Sequence, residues 1–390
     1  MSDSVDFMTY CGSKANKVVP VKTTRSIGPR DCLVEVTHSG YCATDTYFTG
    51  VPMGLGHEGV GIVRRLGSAV TQHKIGDRVG WGFVHEACFN CKQCLSGGEI
   101  YCLKRKIYGY GNTDQGSLAS HAVWDENFLF PIPDALSSAV AAPLMCAGAS
   151  VFGSLQQRGY KSTDRCGVVG IGGLGHLALQ FAHKMGMEVV AFSTTPTKKE
   201  EAIKFGADEF YVLPENGAAF AETDLRRIDH LLVCSTAQPD YHVFLNILEP
   251  RATIYPLTAF EKDVTYPHLD LIFSGVTIQG TMIATKQGYV DMLRFCVKHK
   301  IEPVNQEYPM TQAGIEACNH DLKAGRMRYR GVLVAEGADR SSETILDPET
   351  AKAEPEEVVI KVVVVADGEK NGVSNGSNGD SNCHSATEVA

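Results

Sequence analysis

The run Cys166-Gly167-Val168-Val169 leads directly into Gly170-Ile171-Gly172-Gly173-Leu174-Gly175, and from there into the helix-like stretch HLALQFAHKMG. Strand, glycine turn and helix in immediate succession constrain the chain more than any other segment. Alone, G-x-G-x-x-G is a weak pattern; with both flanks in place it predicts a mononucleotide-type turn. Gly170 allows the tight bend, Gly172 lets backbone approach a pyrophosphate, and Gly175 lets helix pack on strand. Gly173 and Leu174 complete the turn, and the helix N-terminus offers free N–H groups to an anion. The competing reading is a packing turn with no ligand.

The downstream residues support the nucleotide turn. From residue 165 onward, apolar runs (EVVAFST, DEFYVL, IDHLLVCST, ATIYPLT) alternate with helix-length segments, which predicts a parallel sheet with helices on both faces. Between residues 18 and 132 the pattern is short apolar runs broken by glycine, a β-rich signature. Near Asp134 an alanine-rich helical stretch begins, with Pro143 marking an interruption. The expected class is therefore α/β, with a β-rich domain beside a doubly wound one. A length of 390 residues suits two domains, and no repeat of solenoid period is present.

About 20 residues past the turn, an NAD site would present an acid to the ribose. Here the chain reads Phe192-Ser193-Thr194-Thr195-Pro196-Thr197-Lys198-Lys199. Hydroxyls and ammonium groups welcome a 2′-phosphate that an acid would repel, so NADP(H) is the expected cofactor. The plainer alternative leaves Lys198 and Lys199 as exposed first-turn residues.

Two clusters of soft ligands stand out. Cys88, Cys91, Cys94 and Cys102 follow C-x2-C-x2-C-x7-C, and four thiolates close a tetrahedral zinc shell with no position for substrate. An iron–sulfur cluster and a regulatory disulfide set are the competing readings. Elsewhere, Cys42 lies in GYCATD, His57 and Glu58 in GHEGVG, and Cys146 in APLMCAG. A Cys2His set with one open position is a catalytic zinc arrangement, although each residue singly reads as ordinary core.

On these stretches, together with GDRVG, STTPTKKEEA and YRGVLV, the chain resembles the zinc-containing medium-chain dehydrogenases/reductases, in their cinnamyl-alcohol-dehydrogenase-like branch, across residues 18–334. The resemblance implies a GroES-like catalytic domain (residues 1–148, with a structural zinc lobe at 88–102). It implies a Rossmann domain (149–285), a return segment (286–337) and an acidic tail (338–390). Two zinc ions per chain, NADP(H), a small aldehyde or alcohol substrate and a homodimer are further implications of it. Cys42, His57 and Cys146 match the catalytic zinc ligands, and Glu58 the acid that approaches the metal when substrate is absent. Asp45 matches the carboxylate that orients the histidine, Thr44 the relay hydroxyl, and Arg330 and Thr281 cofactor contacts. Family members often carry a histidine shortly beyond the relay hydroxyl, and here Tyr47 stands in that region. Met53, Trp81, Tyr108, Tyr110 and Met282 are the expected substrate-pocket residues.

The expected reaction is hydride transfer between NADPH and a zinc-polarised carbonyl, with Thr44 passing the proton. The alternatives are reduction of a conjugated C=C or iminium group, which the Tyr47 departure leaves open, and a non-enzymatic zinc-braced NADPH-binding protein. Net charge is −9, of which residues 339–390, with eleven acids against four bases, carry −7. The remainder lacks the basic footprint of a nucleic-acid binder. No uninterrupted apolar run reaches spanning length and no leader is visible, so a cytoplasmic location and no membrane are expected. The tail reads as disordered, apart from a strand-like stretch at 356–368.

Overall fold

The computed structural model describes residues 4–213, 225–235, 241–259 and 263–339. The expected tail beyond residue 339, including the strand-like stretch at 356–368, lies outside the described residues. Two large sheets dominate, and both expected architectures are present.

The first sheet is built on the eleven-residue strand Asp31–Tyr41. It pairs antiparallel with Gly59–Leu66, with His121–Asp125 and with the C-terminal strand Arg330–Val334. Arg78–Trp81 and Phe130–Pro131 extend it on one side, and Asn305–Pro309 forms the opposite edge. Strands from both ends of the sequence thus share one sheet, and the second sheet is inserted between them.

That second sheet has six parallel strands. Their order is Glu209–Val212, Glu188–Ser193, Arg165–Val169, Ile228–Val233, Leu248–Pro256, Thr277–Ile278. All five residues of Arg165–Val169 are buried, as helices covering both faces of a parallel sheet require. From this central strand the chain winds outward on one side and then restarts on the other at Ile228–Val233. The reversal opens a crevice at the strand ends, the usual ligand position in such sheets. The glycine turn lies there.

Between the sheets runs one continuous helix, Ser138–Arg158. It is long and apolar enough to cross a membrane, but 78% of that apolar window is buried within the protein, which makes it a core helix. Ser137 caps its start, its hydroxyl accepting from the Val140 amide at 3.2 Å. Pro143 interrupts it, as expected, without ending it. The α-helical turn Ser138–Pro143 changes to a π-helical turn, Leu144–Gly148, and α-geometry resumes over Ala149–Arg158. Proline has no N–H for the carbonyl four residues back. That carbonyl, of Ala139, instead accepts from the side-chain amide of Asn305 at 2.8 Å.

Replacing Asn305 by Ala leaves the Ala139 carbonyl without this partner. It is expected to lower unfolding stability by about 1–3 kcal/mol, read as a lower urea midpoint at unchanged slope; an unchanged midpoint would show that the bond contributes nothing.

Candidate active site

Three chain segments bring Cys42, His57, Glu58 and Cys146 together, with one ligand atom from each lying within 4.8 Å of the others. Cys42 sits at the N-cap of the short helix Ala43–Phe48, and Cys146 lies inside the π-helical turn. Such turns displace one side chain relative to an α-helix and recur at functional sites. His57 and Glu58 immediately precede strand Gly59–Leu66.

Asp45 organises this cluster. It is wholly buried, and its Oδ2 accepts from the Cys42 amide at 2.9 Å. Its Oδ1 accepts from the Tyr108 hydroxyl at 2.7 Å and the Gly56 amide at 3.0 Å, and lies 3.2 Å from His57 Nδ1. With Nδ1 so engaged, His57 Nε2 is buried without any hydrogen-bond partner. Burial alone would depress the imidazole pKa, but Asp45 reverses this and holds it well above the ordinary value. Cys42 and Cys146 share a hydrogen bond that holds the Cys42 thiol well below its usual range and raises that of Cys146. Burial pushes the Glu58 carboxyl up to about 7 against the pull of Arg330, whose guanidinium pairs with it.

An orphaned imidazole nitrogen facing two thiols is a donor set that fits a divalent soft or borderline cation. Three protein donors leave a tetrahedral ion one open position, next to which Glu58 lies with a second oxygen also unpartnered.

The four-cysteine lobe has a different geometry. The Sγ–Sγ separations are 3.5 Å (Cys91–Cys94), 3.5 Å (Cys88–Cys102) and 3.9 Å (Cys88–Cys94). A tetrahedron of thiolates about 2.3 Å from one ion has edges of about 3.8 Å. A disulfide requires about 2.05 Å, and a multi-iron cluster would hold its thiolates further apart. The lobe fits a single ion. The Cys88 and Lys104 amides point at Cys102 Sγ at 3.5 and 3.4 Å, and the Asn90 amide helps hold the Cys88 thiol down to about 6.

Cys42 and Cys146 open into a cleft of about 360 Å³ between the sheets, which the glycine turn also lines. Gly170 has φ +87°, and a Cβ there would lie 2.7 Å from Ser235 Cα. A Cβ on Gly175 would lie 1.9 Å from the Gly170 carbonyl oxygen, whereas at Gly172 no atom lies within 4 Å. Tight bend, close helix packing and an open approach are thus each accounted for by one glycine. Gly173 abuts Arg330, and Leu174 caps helix Gly175–Lys184.

Thr44, Tyr47, Thr281 and Met282 line the same cleft, Tyr47 half exposed at its rim. At the end of strand Glu188–Ser193, the Ser193 hydroxyl accepts from the Thr195 amide at 3.3 Å, and Thr194 and Lys199 are exposed. Lys198 donates to the Ile171 carbonyl at 2.7 Å, folding across the glycine turn and over the Tyr329 ring.

Four expected pocket residues lie elsewhere. Tyr108 is buried beneath the site, its ring 4.4 Å from that of His57, and holds Asp45 without lining the cleft. Trp81 is fully buried against Trp124, since its strand turns that face to the core. Met53 is buried beside Cys11 at the end of strand Ser4–Cys11, and Tyr110 is 81% exposed. Sequence reading missed Tyr329, which stacks on His176 at 4.8 Å and donates to Glu201 at 2.5 Å. An aromatic next to Arg330 was its only signal.

Residues 28–134 match the family described as alcohol dehydrogenase GroES-like domain, and residues 173–298 the family described as zinc-binding dehydrogenase. Over 322 residues the chain is 34% identical to a probable formaldehyde dehydrogenase of Bacillus subtilis, covering 79% of this chain and 91% of that one. Among solved structures it is similar to a cinnamyl alcohol dehydrogenase of Sorghum bicolor, with TM-score 0.78 and 26% identity over 87% of this chain and 100% of that chain. The CAD of Helicobacter pylori complexed with NADP(H) superposes with TM-score 0.76, at the same identity and coverage.

His176, in the first turn of helix Gly175–Lys184, accepts at Nε2 from the Val304 amide (3.2 Å), so Nδ1 carries the hydrogen and donates to the Gly172 carbonyl (3.0 Å). Burial depresses its pKa to about 3, from 6.5. Between those values the unfolded chain takes up a proton that the folded chain does not, so stability falls as pH drops through this window. The His176→Gln variant is expected to show a flatter decline of urea midpoint between roughly pH 6 and 4; a slope equal to wild type would mean the ring protonates in place.

Proposed function

Since this chain belongs to the zinc-containing alcohol dehydrogenase family and is an oxidoreductase, we propose that it is an NADPH-dependent aldehyde reductase, able to run in reverse as an alcohol dehydrogenase. The observation that carries this reading is the orphaned His57 Nε2, converging with Cys42 and Cys146 on a cleft floored by the glycine turn. In this reading residues 1–148 and 286–337 form the catalytic domain and residues 149–285 bind the dinucleotide. Cys42, His57 and Cys146 hold a catalytic zinc, with Glu58 as an alternative fourth ligand. Cys88, Cys91, Cys94 and Cys102 hold a structural zinc.

Bound here, zinc would supply Lewis-acid polarisation of a carbonyl oxygen, and the reduced nicotinamide would supply the hydride. The protein's own residues do the positioning. Asp45 fixes the His57 ring from behind, and Tyr108 fixes Asp45. The glycine turn and helix Gly175–Lys184 receive the pyrophosphate, with Arg330 beside Gly173 for a phosphate oxygen. Ser193, Thr194, Thr195, Lys198 and Lys199 offer donors to a 2′-phosphate, and Thr281 faces the cleft for the nicotinamide end. Lys198 must release the Ile171 carbonyl to do so. The Thr44 hydroxyl, 3.5 Å from Cys42 Sγ, passes a proton to the product oxygen. Phe83 and Met282 give the cleft an apolar wall that suits an aromatic or conjugated aldehyde. We place the enzyme in the cytoplasm as a homodimer.

The decisive assay is oxidation of NADPH and NADH with cinnamaldehyde and benzaldehyde, on protein analysed for zinc. Wild type is expected to hold two zincs per chain and to prefer NADPH. Cys42→Ala is expected to hold one zinc and lose turnover. Thr44→Val should keep both zincs and lose about 10²-fold or more in kcat. NADPH consumption without alcohol product would instead support reduction of a conjugated C=C or iminium group, the reading that Tyr47 at the cleft rim favours. Two zincs with no turnover on any acceptor would sink the enzymatic reading.

A further inference from the structure

Tyr289 takes no part in the chemistry above, yet it is buried beside it. Its hydroxyl donates to the carbonyl of Met145, the residue before Cys146, at 2.7 Å. The ring is clamped by parallel stacking on Phe130, 4.1 Å away at an interplanar angle of 11°. Gly82 clears the path: a Cβ there would lie 2.1 Å from the Tyr289 hydroxyl and 2.5 Å from the Met145 carbonyl oxygen. A π-helical turn does not carry the regular α-helical hydrogen-bond ladder, so an outside donor to one of its carbonyls sets the tilt of the next peptide plane. That plane leads to the Cys146 side chain.

The N-terminal end of the helix that carries Tyr289 is held by the cysteine lobe. Helix Lys286–His299 starts at Thr285, and its Lys286 amide donates to the Glu99 carboxylate at 2.5 Å. Glu99 lies inside the lobe, between Cys94 and Cys102. The Lys286 ammonium stands over the ring of Phe89, also in the lobe, and donates to Asn127 at 3.0 Å. A buried carboxylate on a free N–H of a helix N-terminus is a strong, directional tether. One helical turn separates the tethered amide from Tyr289.

We propose that Tyr289 is a positioning residue for Cys146, and that the four-cysteine lobe acts on that ligand through Glu99 and the N-terminus of helix Lys286–His299. The lobe then does more than brace the fold: it sets how firmly the second site holds its metal. This rests on the assignment of Cys42, His57 and Cys146 as a metal site.

Zinc release from the two-zinc holoenzyme into excess 4-(2-pyridylazo)resorcinol tests the link. The phase missing in Cys42→Ala identifies the three-residue site. Tyr289→Phe, which removes one oxygen, is expected to speed that phase about tenfold or more, the scale of losing a group that orients a ligand. The lobe phase and the KM for NADPH should stay unchanged. Glu99→Gln, which keeps shape but removes charge, is expected to speed the same phase while the lobe keeps its zinc. A purely structural role for Tyr289 would lower thermal stability without moving either phase, and would overturn the proposal. So would a Glu99→Gln change confined to the lobe phase, and that variant decides the matter alone if Tyr289→Phe does not fold. A wild type holding a single zinc would overturn the metal-site assignment itself, an outcome separate from unchanged release in a two-zinc protein.

Discussion

The buried carboxylate of Asp45 is the interaction on which the cleft depends. An ionised group in a protein interior is costly unless each lone pair finds a donor. Asp45 collects them from the Cys42 amide, the Gly56 amide, the Tyr108 hydroxyl and the His57 ring. Those four donors come from three stretches of chain. One side chain therefore starts the helix that carries Thr44, sets the turn before strand Gly59–Leu66, and chooses which imidazole nitrogen faces the cleft. The functional geometry comes from satisfying one charge.

Topology supplies the rest. The parallel sheet reverses its winding beside Arg165–Val169, and the crevice at that reversal receives the glycine turn from one side. From the other side comes the first sheet, carrying Asp45 and its neighbours. Helix Ser138–Arg158 joins the two and delivers Cys146 from its π-helical turn. The two sheets meet through side chains, and the cleft lies between them.

Much of this was legible in the sequence where chemistry restricts residue type. Only glycine tolerates the backbone at Gly170 or the contact at Gly175, and only thiols at short spacing make the lobe, so those letters carry their own meaning. The acceptor network around Asp45 was readable at Asp45 itself but not at Tyr108, sixty-three positions away, since an isolated tyrosine looks the same in a pocket, a core or a hydrogen bond. Trp81 failed for the same reason: three consecutive residues of its four-residue strand are buried, so both faces meet protein and nothing local marks which one meets the cleft. Pro143 was readable in part. Its missing donor announced the interruption, but the partner that takes the freed carbonyl, Asn305, is long-range and no local pattern announces it.

The pairing of Gly331 with Tyr41, and of Val334 with His38, has a consequence for how the chain is made. Strand Asp31–Tyr41 leaves the ribosome long before its neighbour exists. At translation speeds of about 5–20 residues per second, roughly 15–60 s pass before residue 330 emerges. Throughout that interval the nascent first sheet has an open edge, whereas the last strand of the inserted parallel sheet, Thr277–Ile278, is complete before residue 330, so that sheet can consolidate first. Consolidation therefore runs in the order parallel sheet first, first sheet last. Arg330, which pairs with Glu58 beside the cysteines, arrives on the final strand. A chain truncated before that strand would be left with an exposed edge and an unneutralised acid, a state marked for chaperone capture or degradation rather than a half-active enzyme.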